Sequence, residues 1–167
     1  MRNVSAEKPG CNARLKVISG GQTGVDRAAL EWAVGHGVPH GGWCPKGRKA
    51  EDGVIPPQFH LVETQSEEYP VRTRLNIRDS DATVIFSERH ELSGGTRETF
   101  EMAHEMGKPL LHLLSATTVQ EAAARLRSFI DANRVKVLNV AGPRASQAPH
   151  VGEFVKAVLS RAVATWR

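Results

Sequence analysis

A glycine-rich stretch near the start of the chain has the residue types of an anion-binding turn: Ser19-Gly20-Gly21-Gln22-Thr23-Gly24-Val25-Asp26. Glycines allow positive φ angles and let the backbone approach a ligand closely. The apolar run before the stretch and the amphipathic run after it predict a strand, a turn and a helix, and the free amides at a helix N-terminus favour phosphate. We therefore predict a phosphorylated ligand, with contacts from Gly20, Gly21, Gln22, Thr23, Gly24 and Asp26.

The spacing of these glycines fits neither of two well-known phosphate motifs. A dinucleotide fingerprint has glycines at the first, third and sixth positions, and a P-loop ends in Gly-Lys-Ser/Thr. Thr23 and Asp26 are spaced as a capping pair for the following helix. A tight turn whose glycines serve geometry alone is the alternative, but such a turn does not need the polar side chains of Gln22, Thr23 and Asp26.

A second unusual loop, residues 44–53, follows a short strand candidate at 38–43 and has three basic residues within four positions. Its length exceeds what a connection needs, and long loops in compact domains are usually functional or disordered. Trp43 and Cys44 are costly to expose, so we predict an ordered loop that covers the ligand; a solvated basic loop is the alternative. The predicted ligand contacts are Trp43, Cys44, Lys46, Gly47 and Arg48.

Two further special turns follow predicted strands. One is Ser93-Gly94-Gly95-Thr96, which opens a helix after the strand 83–87, and the other is Gly142-Pro143-Arg144, after the strand 135–140. The first repeats the order of strand, glycine turn and helix, which predicts a second anion site. The predicted ligand contacts are Ser93, Gly94, Gly95, Thr96 and Arg144.

A polar stripe marks the segment 69–80. On a helix, Arg72, Asn76 and Asp79 fall at i, i+4 and i+7 and share one face. The sequence leaves open whether that face meets solvent or the site.

The elements that position these turns alternate along the chain. Apolar runs predict strands at 15–18, 83–87, 110–114 and 135–140, and helical periodicity predicts helices between them, one of them capped by Thr118 and Glu121. This alternation predicts an α/β fold with a doubly wound, mostly parallel sheet flanked by helices, which is Rossmann-like. We predict a flexible leader over residues 1–14 and a single ligand-binding domain over residues 15–167. The turns at Gly20, Trp43, Ser93 and Gly142 should gather at the carboxyl edge of the sheet.

Composition narrows the class of protein. The 167 residues are 40% hydrophobic and 24% charged, as in ordinary globular proteins, and no apolar run reaches membrane-spanning length. Two cysteines without CxxC spacing argue against a disulfide framework or a zinc ribbon and favour the cytoplasm. Seven scattered histidines predict no metal site. A net charge of +4 favours an acidic partner, and a phosphorylated small molecule satisfies it as well as nucleic acid does. Nucleic acid is the weaker candidate because Trp43 is the one aromatic residue near the basic loop.

Four segments together resemble the family of putative molybdenum cofactor carrier proteins. They are the glycine-rich stretch 19–26, Gly42-Trp43-Cys44-Pro45-Lys46-Gly47-Arg48, Ala50-Glu51-Asp52-Gly53 and Gly142-Pro143-Arg144. The likeness runs from about Lys16 to the C-terminus. The family is similar to the lysine-decarboxylase-like group of cytokinin-activating phosphoribohydrolases, which has a Rossmann-like fold.

The resemblance implies a cytoplasmic homo-oligomer, a dimer or a tetramer, that binds molybdenum cofactor as cargo and serves molybdoenzymes as acceptors. This cargo is a pterin with a terminal phosphate and a molybdenum-bearing dithiolene. Glycine-turn amides suit the phosphate, Lys46, Arg48 and Arg144 suit the added negative charge, and Trp43 suits the pterin ring. We therefore predict a binding, carrier or storage protein for molybdenum cofactor or a similar phosphorylated pterin or nucleotide, without catalysis of its own.

A phosphoribohydrolase acting on nucleoside monophosphates and a nucleotide-sensing module are the alternatives. The related hydrolases have the motif Pro-Gly-Gly-x-Gly-Thr-x-x-Glu, whose glutamate is catalytic. In this chain Thr99 occupies the glutamate position, and Glu98 lies one residue earlier, about 100° around a helix. In the hydrolase hypothesis Glu98 or Glu101 would be the acid/base and Arg97 would bind the phosphate.

Overall fold

The computed structural model of the protein describes residues 15–163, which fold as strands and helices in alternation. The predicted leader, residues 1–14, lies outside the described residues, as do residues 164–167. The strands are β1 (Lys16–Ile18), β2 (His40–Gly41), β3 (Trp43–Cys44), β4 (Lys49–Ala50), β5 (Gly53–Val54), β6 (Val62–Glu63), β7 (Ala82–Ser87), β8 (Leu110–Leu114) and β9 (Val137–Ala141). The α-helices are α1 (Val25–Gly35), α2 (Tyr69–Arg78), α3 (Gly94–Glu105), α4 (Val119–Ala132) and α5 (Val151–Val163).

Five parallel strands form the central sheet, in the order β2-β1-β9-β7-β8. The last strand in sequence, β9, therefore lies in the middle, with Leu138 beside Val17 of β1 and Asn139 beside Thr83 of β7. If the strands are counted from β9 instead of β1, the order reads 3-2-1-4-5, as in the first five strands of a doubly wound sheet. The predicted α/β, Rossmann-like fold is confirmed, with its strands in a circularly permuted order.

The main apolar core lies on one face of this sheet. Strand β7 alternates, so that Ala82, Val84 and Phe86 pack into a cluster with residues of α1, α4 and α5, whereas Thr83 and Ile85 point to the other face. Helices α2 and α3 pack against each other, and α3 also contacts β7 and β8. Helices on both faces bury a fully parallel sheet, as the alternation of elements predicts.

The part of the chain between β2 and α2 forms a smaller layer beside the sheet. It contains the parallel pair β3-β6, the antiparallel pair β4-β5 and a short 3-10 helix, Lys46–Arg48. A second apolar cluster holds it together: Leu30, Cys44, Ala50, Ile55 and Phe59. The segment that follows Trp43 is thus a built layer of the fold.

The helix ends test the predicted caps. The Thr118 side chain accepts a hydrogen bond from the Glu121 amide at 3.2 Å, which confirms the predicted cap of α4. The capping pair predicted for α1 is wrong, because Gly24 is the N-cap residue and no side chain caps that helix. Thr23 instead accepts a hydrogen bond from the Ala145 amide, and Asp26 is buried. No helix within residues 15–163 has the length and apolar character needed to cross a bilayer.

Candidate functional site

A cavity of about 310 Å³ opens at the carboxyl ends of β1 and β9, beside β7, where the connections leave the sheet in opposite directions. Doubly wound sheets bind their ligands at this switch point. Its volume is at the lower end of the range for small-molecule sites. It is lined by Gly20, Gln22 and Asp26 after β1, by Tyr69, Pro70, Arg72, Thr73 and Asn76 of α2, by Gly95, Thr96, Glu98 and Thr99 of α3, and by residues 139–144 and Gln147.

Gln22 supplies an unused hydrogen-bond donor in the wall of this cavity. Its side-chain oxygen accepts bonds from the amides of Thr23 at 3.0 Å and Glu51 at 2.9 Å. Gln22 is only 4% exposed, and its Nε2 group is buried. This group nevertheless has no hydrogen-bond partner among the described residues. Rotating the amide by 180° would set an NH₂ group against two N–H donors, so the assignment is fixed by the network. Leaving a buried donor unpaired costs about 1–3 kcal/mol, and a ligand oxygen would remove that cost.

A cluster of cations surrounds Tyr69 at the edge of the cavity. The Arg72 and Arg144 guanidinium carbons lie 5.1 and 5.3 Å from the ring centroid, and Lys49 Nζ lies 5.3 Å from it. Within residues 15–163, none of the three cations has a carboxylate within 4.0 Å. Arg72 is buried and is held by a 2.8 Å bond from its Nη1 to the Gly20 carbonyl oxygen. The arrangement offers charge-assisted donors to an anionic ligand.

Asp26 is a buried carboxyl group at the base of the same cavity. Burial raises its pKa to about 6, although Arg72 and the backbone hydrogen bonds of Gln22 and Gly20 act in the opposite direction. At neutral pH the group is mostly ionised and partly offsets the charge of Arg72. Its proton affinity therefore couples the cavity to pH in the range just below neutral.

The first turn of α3 borders the cavity from the other side. Gly95 and Thr96 line the cavity, and no side chain caps the helix at Ser93. The amides at the start of a helix lack intrahelical partners and carry the positive end of its dipole. Residues that carry amide, guanidinium and carboxamide donors thus line one cavity.

The sequence and fold of this chain have known counterparts. Residues 17–163 match the model of the circularly permutated YpsA SLOG family. The chain belongs to that family. It is also similar to the crystal structure of the Putative molybdenum carrier protein from Syntrophus aciditrophicus SB, with 41% identity over 90% of this chain and 96% of that chain, at a TM-score of 0.87. No curated protein matches the chain.

Membership in the permutated YpsA family agrees with the strand order of the central sheet. The strand order 3-2-1-4-5 appears when counting starts at β9, so the permutation in the family description is visible in the sheet. The predicted resemblance to molybdenum carrier proteins is confirmed by the solved neighbour's name and identity. Among the described residues, no three His, Cys, Asp or Glu side chains gather into a metal-binding group.

Six of the predicted contacts in this family member line the cavity: Gly20, Gln22, Asp26, Gly95, Thr96 and Arg144. Three other predicted contacts belong to the same turn but do not line the cavity: Gly21, Thr23 and Gly24. A Cβ at Gly21 would meet methyl groups of Ile55 and Leu61 at 2.7–2.8 Å, so this glycine faces the second apolar cluster. Ser93 lines a neighbouring cavity, and Gly94, the first residue of α3, lines neither.

The predicted ligand contacts in the Trp43 loop do not line the cavity. The Trp43 indole donates to Asp79 at 2.8 Å, and its backbone exchanges hydrogen bonds with the Asn76 side chain. Cys44 is fully buried, and burial raises the pKa of its thiol, which opposes a reactive thiolate. The loop gathers with the other turns less closely than predicted, because β3 pairs with β6 and is no part of the central sheet.

The basic residues Lys46 and Arg48 of this loop also lie outside the cavity lining. Arg48 donates to the carbonyl oxygens of Ile55, Pro56 and Phe59 at 2.8–3.0 Å and so ties the segment together. The Gly47 amide donates to Glu63 at 2.6 Å, and Lys46 is exposed. The loop is ordered, as one of the two interpretations predicts. Its residues brace the fold beside the cavity and do not line it.

The sequence did not point to Tyr69, and it left open whether the polar face of the segment 69–80 meets solvent or the site. Arg72 and Asn76 are buried at the cavity, whereas Asp79 is exposed and binds Trp43. The available signal was the i, i+4 spacing of two polar residues on a helix that carries a buried Ile77. Nothing in the sequence marks Tyr69 as a site residue, because a single tyrosine at the start of a helix can have many roles.

Glu51, in the Ala50-Glu51-Asp52-Gly53 segment, fastens two cavity loops together. Its carboxylate accepts hydrogen bonds from the Thr23 hydroxyl and from the amide and hydroxyl of Ser146, the last at 2.6 Å. These bonds lower the pKa of Glu51 and keep it ionised. The neighbouring Asp52 forms a 2.9 Å ion pair with Arg27, which adds a second tie.

Replacing Glu51 with alanine is expected to loosen the loop that presents Arg144. The Ser146 amide loses its acceptor, so its hydrogen exchange should accelerate by about tenfold, since exchange reports local opening. Exchange measured by NMR checks this, with Glu67→Ala as the control because the Glu67 side chain is exposed. Equal exchange at Ser146 in both variants would contradict the role of Glu51.

Proposed function

We propose that this protein binds molybdenum cofactor, or a similar phosphorylated pterin or nucleotide, in the cavity and carries or stores it unchanged. The observation that supports it most is the lining of the cavity, where Arg72 and Arg144 bring two guanidinium groups beside Gln22, whose buried Nε2 has no partner among the described residues. The name of the solved neighbour points in the same direction. The proposal includes a cytoplasmic location, assembly as a dimer or tetramer, and molybdoenzymes as recipients.

The donor set suits such a cargo. The phosphate would meet the arginines and the first-turn amides of α3, and a ring carbonyl would accept from Gln22 Nε2. Molybdenum would stay on the dithiolene sulfurs of the pterin, which keeps the metal with its cargo. Contacts from Trp43, Cys44, Lys46, Gly47 and Arg48, which lie outside the cavity, remain untested predictions.

Cofactor uptake tests the proposal directly. The purified protein is mixed with freshly released molybdenum cofactor and passed through a gel filtration column, and the protein peak is analysed for pterin and molybdenum. We expect both to co-elute with the protein and to restore activity to a cofactor-free molybdoenzyme. Absence of pterin from the protein peak would refute the carrier function.

Replacing Arg144 with glutamine is expected to weaken binding of the phosphorylated cargo by about tenfold, because hydrogen bonds to charged groups contribute about 1.5–3 kcal/mol. Affinity is measured by calorimetry or fluorescence titration. Arg161→Gln is the matched control, since it removes the same charge from an exposed position on α5. If both variants bind alike, the effect is one of net charge and Arg144 is not at the ligand.

The phosphoribohydrolase alternative has one observation in its favour. Glu98 lines the cavity, so a carboxylate is available near a bound nucleotide. Its other proposed residues are less well placed, because Arg97 and Glu101 form an exposed ion pair with each other at 2.9 Å. Release of ribose 5-phosphate from AMP, lost in Glu98→Gln, would establish hydrolysis; no turnover of nucleoside monophosphates would leave binding alone.

A further inference from the structure

A serine and a histidine form a close pair on two neighbouring strands of the central sheet. Ser87 is the last residue of β7, and His112 lies in the middle of β8. In the parallel register of these strands His112 pairs with Ile85, two residues before Ser87, so both side chains point to the same face of the sheet. Ser87 Oγ lies 2.6 Å from His112 Nε2. The sheet itself therefore holds the two groups within hydrogen-bond distance.

The Ser87 side chain is buried in the wall of a second cavity, of about 270 Å³. Neither Ser87 nor His112 lines the first cavity. Apolar surface from Leu92, Pro143 and Ala148 contributes to the wall of the second one. Its volume lies just below the usual range for small-molecule sites, so it suits a short substrate.

The surroundings of His112 favour its neutral form. Burial lowers the pKa of His112, and the electrostatic effects of His90 and Arg125 act in the same direction. The ring centroids of His90 and His112 lie 6.2 Å apart. At neutral pH one ring nitrogen of His112 therefore keeps a free lone pair. A neutral imidazole beside a hydroxyl is the arrangement that general-base activation of a nucleophile requires.

The Ser87 hydroxyl has two acceptors within reach. Its Oγ donates to the Arg89 carbonyl oxygen at 2.7 Å, and His112 Nε2 lies on its other contact at 2.6 Å. A hydroxyl has one proton, and it rotates to suit its partners. In the tautomer with hydrogen on Nε2, His112 donates to Ser87; in the other tautomer, Nε2 accepts the Ser87 proton. The second arrangement needs no movement of a heavy atom and makes His112 a base for Ser87.

We propose that Ser87 and His112 form a nucleophile–base pair that hydrolyses small uncharged carboxylic esters in the second cavity. Glu88 and Glu91 also line this cavity, and their carboxylates disfavour an anionic substrate. This activity goes beyond the proposed cofactor binding, which uses the first cavity.

The reaction proceeds in two steps. Ser87 Oγ attacks the ester carbonyl carbon while the Ser87 proton passes to His112 Nε2. The bond from that carbon to the alcohol oxygen breaks, and the alcohol leaves with this proton. Water then attacks the acyl-serine and gives a proton to His112, which returns it to Ser87 Oγ as the carboxylic acid leaves. No group is oxidised or reduced.

Hydrolysis of 4-nitrophenyl acetate, corrected for the rate in buffer, tests this activity. We expect Ser87→Ala and His112→Gln each to slow it by about a hundredfold, because a positioned base contributes about 10²–10⁴ in rate. The control is His104→Gln, at an exposed position on α3, and it should leave the rate unchanged. The rate in the parent should rise with pH and reach half its plateau below pH 6.5, the ordinary value for histidine.

Covalent labelling tests the nucleophile in the parent protein, without any substitution. A fluorophosphonate probe should attach to Ser87 Oγ with loss of fluoride, and peptide mass spectrometry locates the label. In a second test, Ser87→Cys supplies a thiol at the same position. Its alkylation by iodoacetamide should be at least tenfold faster than in the double variant with His112→Gln, which a merely structural serine–histidine contact would not produce.

Hydrolysis that persists in Ser87→Ala would overturn the inference, as would a label found on other residues only. Absence of both hydrolysis and labelling in the folded parent would overturn it as well. Cofactor co-elution should be equal for the parent and Ser87→Ala, so the ester hydrolysis and the proposed carrier function are judged by separate measurements.

Discussion

Replacing Gly24 with alanine is expected to lower the free energy of unfolding by about 3 kcal/mol or more. Gly24 has a φ of 80°, and an added Cβ would lie 2.4 Å from the Pro143 carbonyl oxygen and 2.7 Å from the Ala145 amide nitrogen. Strain at such a φ costs about 1–3 kcal/mol, and overpacking adds about 1–3 kcal/mol. Both contacts are backbone atoms, so no side chain can rotate away.

The same substitution should abolish ligand binding in the protein that remains folded. Relief of the clash requires the loop 142–146 to move away from α1, and this loop carries Arg144 and lines the cavity. Chemical denaturation measures the stability, and titration with molybdenum cofactor measures the binding.

Gly37→Ala is the matched control for the conformational part of this cost. Gly37 has a φ of 63°, and a Cβ added there would have no atom within 4 Å, so only the backbone strain of about 1–2 kcal/mol remains. A loss of stability in Gly24→Ala no larger than in Gly37→Ala would show that the contact between the two loops is unimportant.

The strands and helices could be predicted because their patterns are strong. The run that became β7 (Ala82–Ser87) is buried at every residue, as a central parallel strand should be, and α5 repeats apolar residues at helical spacing. The run Leu110–Leu114 also forms a strand, but β8 lies at the edge of the sheet and is mostly half-buried. The alternation of strands and helices predicts a parallel sheet. A parallel sheet in turn predicts a binding edge at the carboxyl ends of its strands. The turns after β1, β7 and β9 lie at that edge as expected, since those three strands are neighbours.

The Trp43 loop shows why the rest of the candidate site escaped prediction. Its residues follow a short strand, as the other turns do, but β3 pairs with β6 outside the central sheet. Strand pairing is a long-range property that local patterns do not encode. Arg72 illustrates the same limit, because helical spacing tells which residues share a face but not what that face contacts.

Replacing Asp26 with asparagine is expected to change the pH dependence of stability by about 3 kcal/mol between pH 3 and pH 7. The pKa of Asp26 is about 6 in the folded protein, against 3.8 for an unperturbed aspartate, and that difference corresponds to about 3 kcal/mol. The folded state therefore binds more protons than the unfolded state in this interval, so its stability falls as pH rises. The contribution is complete below about pH 4 and is lost as pH rises through about 6.

Asparagine does not titrate, so the variant lacks this contribution. Its amide also replaces one carboxylate oxygen, which shifts stability by a constant amount at every pH, but the slope of the difference between variant and parent does not depend on that constant. Urea denaturation at several pH values between 3 and 7 gives the slope, and the variant should gain stability relative to the parent as pH rises.

Asp52→Asn provides a control of opposite sign in a lower pH range. Its hydrogen bonds with Arg27 lower the pKa of Asp52 from 3.8, so the parent gains stability from this carboxylate as pH rises towards about 4 and little more above that. Relative to the parent, the Asp52 variant should therefore lose stability as pH rises to about 4 and then keep a constant difference, while the Asp26 variant continues to gain. Parallel pH profiles for the parent and Asp26→Asn would mean that Asp26 titrates as an exposed carboxyl group, and that its burial beside Arg72 carries no electrostatic cost.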